Sequence, residues 1–129
     1  HALFKFPDLY HTGIAIAPVP NQRYYDTIYQ ERYMGLPRDN VEGYRKGSAM
    51  NFAAGLKGNL LLIHGTGDDN CHYQTTELLI NELIRHNKPF SMFAYPNRTH
   101  SIREGKNTTR HLRSMMTQYF LDNLPAEAK

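Results

Sequence analysis

The chain reads as an α/β domain built on a parallel sheet. Three short β-prone runs, residues 13–19, 58–64 and 90–95, each stop at turn-forming residues. Helical patterns follow each run, and strands alternating with helices imply right-handed crossovers and a sheet covered on both faces. The middle run, Leu60-Leu61-Leu62-Ile63, is apolar without alternation, as expected of a strand buried on both sides.

In chain order, His1 to Pro7 reads as the tail of a helix stopped by Pro7, with nothing upstream to begin it. The first strand follows at residues 13–19, and Pro18 and Pro20 end it. Residues 22–33 predict one helix with Tyr25 and Tyr29 on a shared face, and 35–37 end it. Asp39-Asn40 caps a shorter helix to about Lys46, and residues 48–56 read as a connector with one helical turn. The second strand covers 58–64. Residues 72–86 form the clearest helix, with Leu79, Ile80, Leu83 and Ile84 as its apolar stripe and Glu77, Asn81 and Arg85 outward. The third strand covers 90–95 and residues 96–105 form a loop. The last helix, 107–123, buries Leu112, Met115, Met116, Tyr119 and Phe120 before Pro125 closes it. About three strands is few for a doubly wound sheet, and the first would carry an unpaired edge, so the pattern predicts the C-terminal part of a larger α/β domain. An uncovered apolar face predicts self-association.

Composition narrows the function. The 129 residues allow one domain at most. A net charge of +3, from 15 basic and 12 acidic residues, is mild and interspersed, which argues against nucleic-acid binding. The lone cysteine, Cys71, excludes an internal disulfide and leaves the redox compartment open. No apolar run approaches the ~18 residues of a membrane span. Two sequons, at Asn97 and Asn107, matter only on a eukaryotic secretory route.

The chemistry-bearing residues lie past the strand ends. Asp68 and His100 sit in the loops after the second and third strands, which emerge side by side at the carboxyl edge of a parallel sheet, where open α/β sheets keep their crevices. A carboxylate and an imidazole delivered that way suit an acid–base pair, in which the Asp fixes the tautomer and stabilises the imidazolium. The plainer reading is that both are solvated loop residues. Asp69 reads as structural, since only one of two adjacent carboxylates can face the histidine. His64 and His72 read as structural hydrogen-bonding residues, and two histidines alone are a weak zinc signal.

The segment His64-Gly65-Thr66-Gly67-Asp68-Asp69-Asn70, followed by His72-Tyr73-Gln74, resembles the catalytic-aspartate segment of the prolyl oligopeptidase family of serine peptidases, nearest its dipeptidyl peptidase IV branch. Tyr24-Tyr25-Asp26, Tyr29 and Glu31-Arg32-Tyr33-Met34-Gly35-Leu36-Pro37 resemble that branch's substrate-pocket helix, and Gly13 to Val19 fits the strand before it. The resemblance spans nearly the whole chain. It implies the C-terminal portion of an α/β-hydrolase catalytic domain with triad order Ser, Asp, His. Asp68 matches the triad aspartate and His100 the triad histidine. Tyr25 and Tyr29 match walls of a proline-sized pocket, Val19 and Cys71 further apolar walls, and Asn70 a residue contacting the substrate backbone. Flat, apolar proline suits such aromatic walls, although ordinary core packing would also explain the tyrosines.

The implied activity is release of X-Pro or X-Ala dipeptides from peptide N-termini through an acyl-enzyme, with no cofactor and no metal. The resemblance also allows a homodimer, and a secreted, periplasmic or membrane-anchored setting. The sequence departs from the pattern in places. None of Ser48, Ser91, Ser101 and Ser114 lies in a Gly-x-Ser-x-Gly elbow, so the nucleophile is expected upstream and this chain alone is expected to be inactive. Gln22 stands in place of an aromatic, Cys71 of an aliphatic residue, and Ser101 where glycine is common. The alternative is a non-enzymatic, truncated or inactive hydrolase module acting in association.

Overall fold

A computed structural model describes residues 1–124. Pro125, expected to close the last helix, lies outside them. The element order is α1 (Ala2–Lys5), β1 (Thr12–Ile16), a 3-10 turn (Gln22–Tyr24), α2 (Thr27–Met34), α3 (Val41–Gly47), a 3-10 stretch (Ala49–Gly55), β2 (Asn59–Gly65), α4 (Tyr73–Arg85), β3 (Ser91–Tyr95) and α5 (Thr108–Asn123). The strands form one parallel sheet in the order β1-β2-β3, with Ile14 opposite Leu61 and Ile63 opposite Phe93.

The central strand explains the layering. Its side chains alternate faces, and both faces are buried from Leu60 to Gly65. Leu60 and Leu62 pack with Leu3, Phe4, Ala53, Leu56, Leu79 and Leu83, under α1, the 3-10 stretch and α4. Leu61 and Ile63 pack with Tyr95, Ile102 and Leu112, under α5. The sheet is therefore sandwiched between two helical layers, as a non-alternating apolar strand requires.

Three expectations need correcting. The first strand stops at Ile16 rather than Val19, because Ala17 turns to φ 45° and Pro18 follows without a donor. The helix expected over 22–33 is two pieces. Asn21 accepts from the Arg23 amide and starts a 3-10 turn, and Asp26 accepts from the Ile28 amide and caps α2, so Tyr25 sits between them in extended backbone. Two short side chains that bond their own backbone thus outcompete the continuous helix. Ile84 is 63% exposed rather than part of a buried stripe. Leu79 and Leu83 face the sheet, and Ile84 lies about 100° further round the helix; Thr75 and Thr76 complete the buried side instead.

Candidate active site

Two loops meet at the carboxyl edge of β2 and β3. Glycine makes the meeting possible, since a Cβ on Gly65 would fall inside the Arg98 carbonyl, and one on Gly67 would sit 3.2 Å from the Asn97 carbonyl carbon. The backbones are stitched together. The Thr66 amide donates to the Tyr95 carbonyl (2.9 Å), the Gly67 amide to the Arg98 carbonyl (3.1 Å), and the Asn97 amide to Thr66 Oγ1 (2.8 Å).

Asp68 lies at the centre of this junction with a fully buried side chain. Its Oδ1 accepts the amides of Asn70 and Cys71, both at 2.9 Å. Its Oδ2 lies 2.9 Å from His100 Nδ1 and 3.0 Å from His64 Nε2. Burial pushes the carboxyl up, but bonds from His100, the two amides and His64 outweigh it, and the group is held below its ordinary value. The carboxylate is thus kept charged in a dry place by four donors.

His100 presents the other end of its ring to solvent. Its side chain is 44% exposed, and no hydrogen bond to Nε2 is found among the described residues. With Nδ1–H donating to Asp68, Nε2 carries the lone pair and can take up a proton. The loop is anchored two residues on by Ile102, which is 1% exposed among Leu61, Ile63, Tyr95 and Leu112. Ile102 has φ 49°, a conformation a β-branched residue adopts only under constraint. Glu104 closes the loop, accepting from Thr99 and from the Arg103 amide.

The residues expected to wall a substrate pocket come together in part. Tyr25 donates its hydroxyl to Asn70 Oδ1 at 3.0 Å, and its ring meets Tyr29 edge-on with centroids 5.5 Å apart. Cys71 Sγ lies 3.6 Å from the same Asn70 oxygen, and the Cys71 amide binds Asp68. Tyr25, Tyr29, Asn70 and Cys71 therefore form one patch continuous with the Asp68–His100 pair. Desolvation and the neighbouring Cys71 push the Tyr25 phenol up, which keeps it a donor. Val19 is not part of the patch; it lines a separate cavity with Leu3, Phe4, Gln22 and Leu79. Asp69 and His72 are exposed, whereas His64 is fully buried and does form hydrogen bonds. No cluster of three metal-ligating side chains occurs among the described residues.

Sequence reasoning did not find Ile102 or Thr76, whose hydroxyl lies 2.7 Å from His64 Nδ1. No local pattern marks a strained isoleucine. An imidazole closing an otherwise apolar strand, four residues before Asp68, was the available signal for the His64–Thr76 pair.

Known proteins share this fold. The profile of the prolyl oligopeptidase family matches residues 1–126. Human dipeptidyl peptidase 8 is 38% identical over 126 residues, covering 95% of this chain and 14% of its own length. Mouse prolyl endopeptidase FAP is 38% identical over 121 residues, with 92% and 16% covered. The crystal structure of Porphyromonas gingivalis dipeptidyl peptidase 4 superimposes with a TM-score of 0.91 at 41% identity, over 95% of this chain and 17% of that one. The chain thus spans about a sixth of the relatives it matches, and its three strands with flanking helices are those of an α/β-hydrolase. With a family profile running through both loops of the site and nearly every residue around them, the chain belongs to the prolyl oligopeptidase family of serine peptidases.

Proposed function

We propose that this chain is the C-terminal part of the catalytic domain of a dipeptidyl peptidase, and that Asp68 and His100 are two members of its catalytic triad. The observation that carries the reading is the 2.9 Å bond from His100 Nδ1 to a buried, four-donor Asp68, with Nε2 left open to solvent. In the full-length protein a serine upstream of His1 attacks the scissile carbonyl and gives its proton to His100 Nε2. Asp68 stabilises the imidazolium through Nδ1. His100 then protonates the leaving amine, and the acyl-enzyme is hydrolysed by water activated at the same nitrogen.

Tyr25, Tyr29 and Cys71 wall the pocket for a proline or alanine at the second substrate position, and Asn70 contacts the substrate backbone. Val19 belongs to this reading only through the family resemblance, since its cavity lies apart from the patch. The 129-residue chain alone is expected to be inactive.

The test uses the full-length protein and a Gly-Pro-p-nitroanilide substrate. Asp68→Asn and His100→Ala are each expected to lower kcat by about 10⁴-fold, because each removes the base or its correct tautomer. Wild-type rates in either variant would refute the assignment.

A further inference from the structure

His64 has more polar contacts than a core residue needs. Its side chain is fully buried at the end of β2, on the face that continues from Leu60 and Leu62 toward α4. Nε2 lies 3.0 Å from Asp68 Oδ2 and 2.8 Å from the Cys71 carbonyl oxygen. Two acceptors at one nitrogen fix the hydrogen there. Nδ1 lies 2.7 Å from the hydroxyl of Thr76, itself 0% exposed, which donates to the remaining lone pair. The Tyr73 ring closes the site edge-on, with centroids 5.5 Å apart. A hydrophobic residue would fill this space without the cost of desolvating an imidazole.

The geometry also gives the pair an order. Asp68 Oδ2 receives two imidazoles, one buried and one half-exposed. The buried ring cannot move, because both of its nitrogens and its face are occupied. Together with the Asn70 and Cys71 amides on Oδ1, it holds the carboxylate in place, His64 from the Oδ2 side that also faces His100.

We propose that His64 is a positioning residue for the peptidase reaction, a fixed second imidazole that orients the Asp68 carboxylate toward His100, with Thr76 holding its tautomer. This rests on the triad assignment above. His64 touches neither substrate nor reacting atoms, so its removal should lower kcat and leave KM nearly unchanged.

Glutamine separates positioning from packing. Its amide offers two N–H groups to the two acceptors at Nε2, and its oxygen can accept from Thr76. In the full-length protein, His64→Leu is expected to lower kcat on Gly-Pro-p-nitroanilide by about 10²-fold with KM within about threefold, as a small misalignment of reacting groups does. His64→Gln should recover all but about fivefold of that loss. Thr76→Val, which keeps the shape and removes the hydroxyl, should lower kcat by a few-fold with KM unchanged.

Thermal melts identify variants that fail to fold. If His64→Leu is one of them, His64→Gln and Thr76→Val decide. A folded His64→Leu enzyme with wild-type kcat, a loss confined to KM, or equal kcat losses in the Leu and Gln variants would each overturn the proposal. If wild type does not cleave the substrate, or Asp68→Asn keeps its rate, the triad assignment itself has failed and this inference falls with it. Active wild type, inactive Asp68→Asn and unimpaired His64→Leu would remove only the role of His64.

Discussion

Four donors around one buried carboxylate make Asp68 the most heavily connected side chain of the site, and this has a pH consequence. Its folded value lies below the ordinary 3.8, so the unfolded chain binds the proton more readily than the folded one. The stabilisation is present in full above the unfolded value and is lost as pH falls through the folded one. Urea unfolding of wild type and Asp68→Asn from pH 7 to 2.5 should show a constant difference above about pH 5 that shrinks below about pH 4. A difference that grows toward acid would contradict the charged, hydrogen-bonded state. Ile102 offers a second test at this scale. Ile102→Ala removes a side chain buried among Leu61, Ile63, Tyr95 and Leu112, two residues after His100, and should cost ~2–4 kcal/mol in chemical unfolding. It should also lower kcat, because the histidine loop loses its anchor. That Asp68 and His100 meet was legible in the sequence, since parallel strands must deliver their following loops to one edge. The supports were not, because Ile102 and Thr76 act through distant contacts that no local spacing encodes.

Among the elements, β2 was read most faithfully. A strand buried on both faces shows as an unbroken apolar run, here Leu60 to Ile63, and the sequence can show that directly. The segment from Gln22 to Met34 was read least well. Its aromatic spacing suits a helix, but periodicity does not register the side-chain caps at Asn21 and Asp26 that split it. That split has a use. It frees Tyr25 from helical geometry, so its hydroxyl reaches Asn70 while its ring still meets Tyr29. Asp26→Ala should therefore destabilise α2 by about 1 kcal/mol. In the full-length peptidase it should raise KM for Gly-Pro substrates more than it lowers kcat, which steady-state kinetics would separate. Gly65→Ala addresses the junction between the loops. Its methyl group cannot coexist with the Arg98 carbonyl, and displacement of the 96–101 loop should depress kcat by at least 10-fold, whereas an unchanged rate would mean the loops are not locked.

For the molecule as a whole, the sheet sets the balance between exposed and covered surface. Among the described residues β1 and β3 each carry one unpaired edge, and large apolar side chains such as Leu9, Ile28 and Tyr33 stand more than two-thirds exposed. The 129-residue chain on its own is therefore expected to elute from size exclusion as assemblies larger than a monomer. A monomeric peak with a sharp cooperative melt would show that these surfaces are benign. The interlock at the sheet edge behaves differently from those open borders. Every hydrogen-bonding partner that the described residues give Asp68 comes from this chain, within the strand end and two loops that clasp it. Within the described residues, all four groups that bond the Asp68 carboxylate are already in place around it. The proposed triad can therefore be tested by split-enzyme complementation: mixing this chain with a separately expressed piece bearing the proposed serine is expected to restore Gly-Pro-p-nitroanilide cleavage, and no recovery from two folded pieces would mean that the Asp68–His100 arrangement needs contacts beyond those seen here.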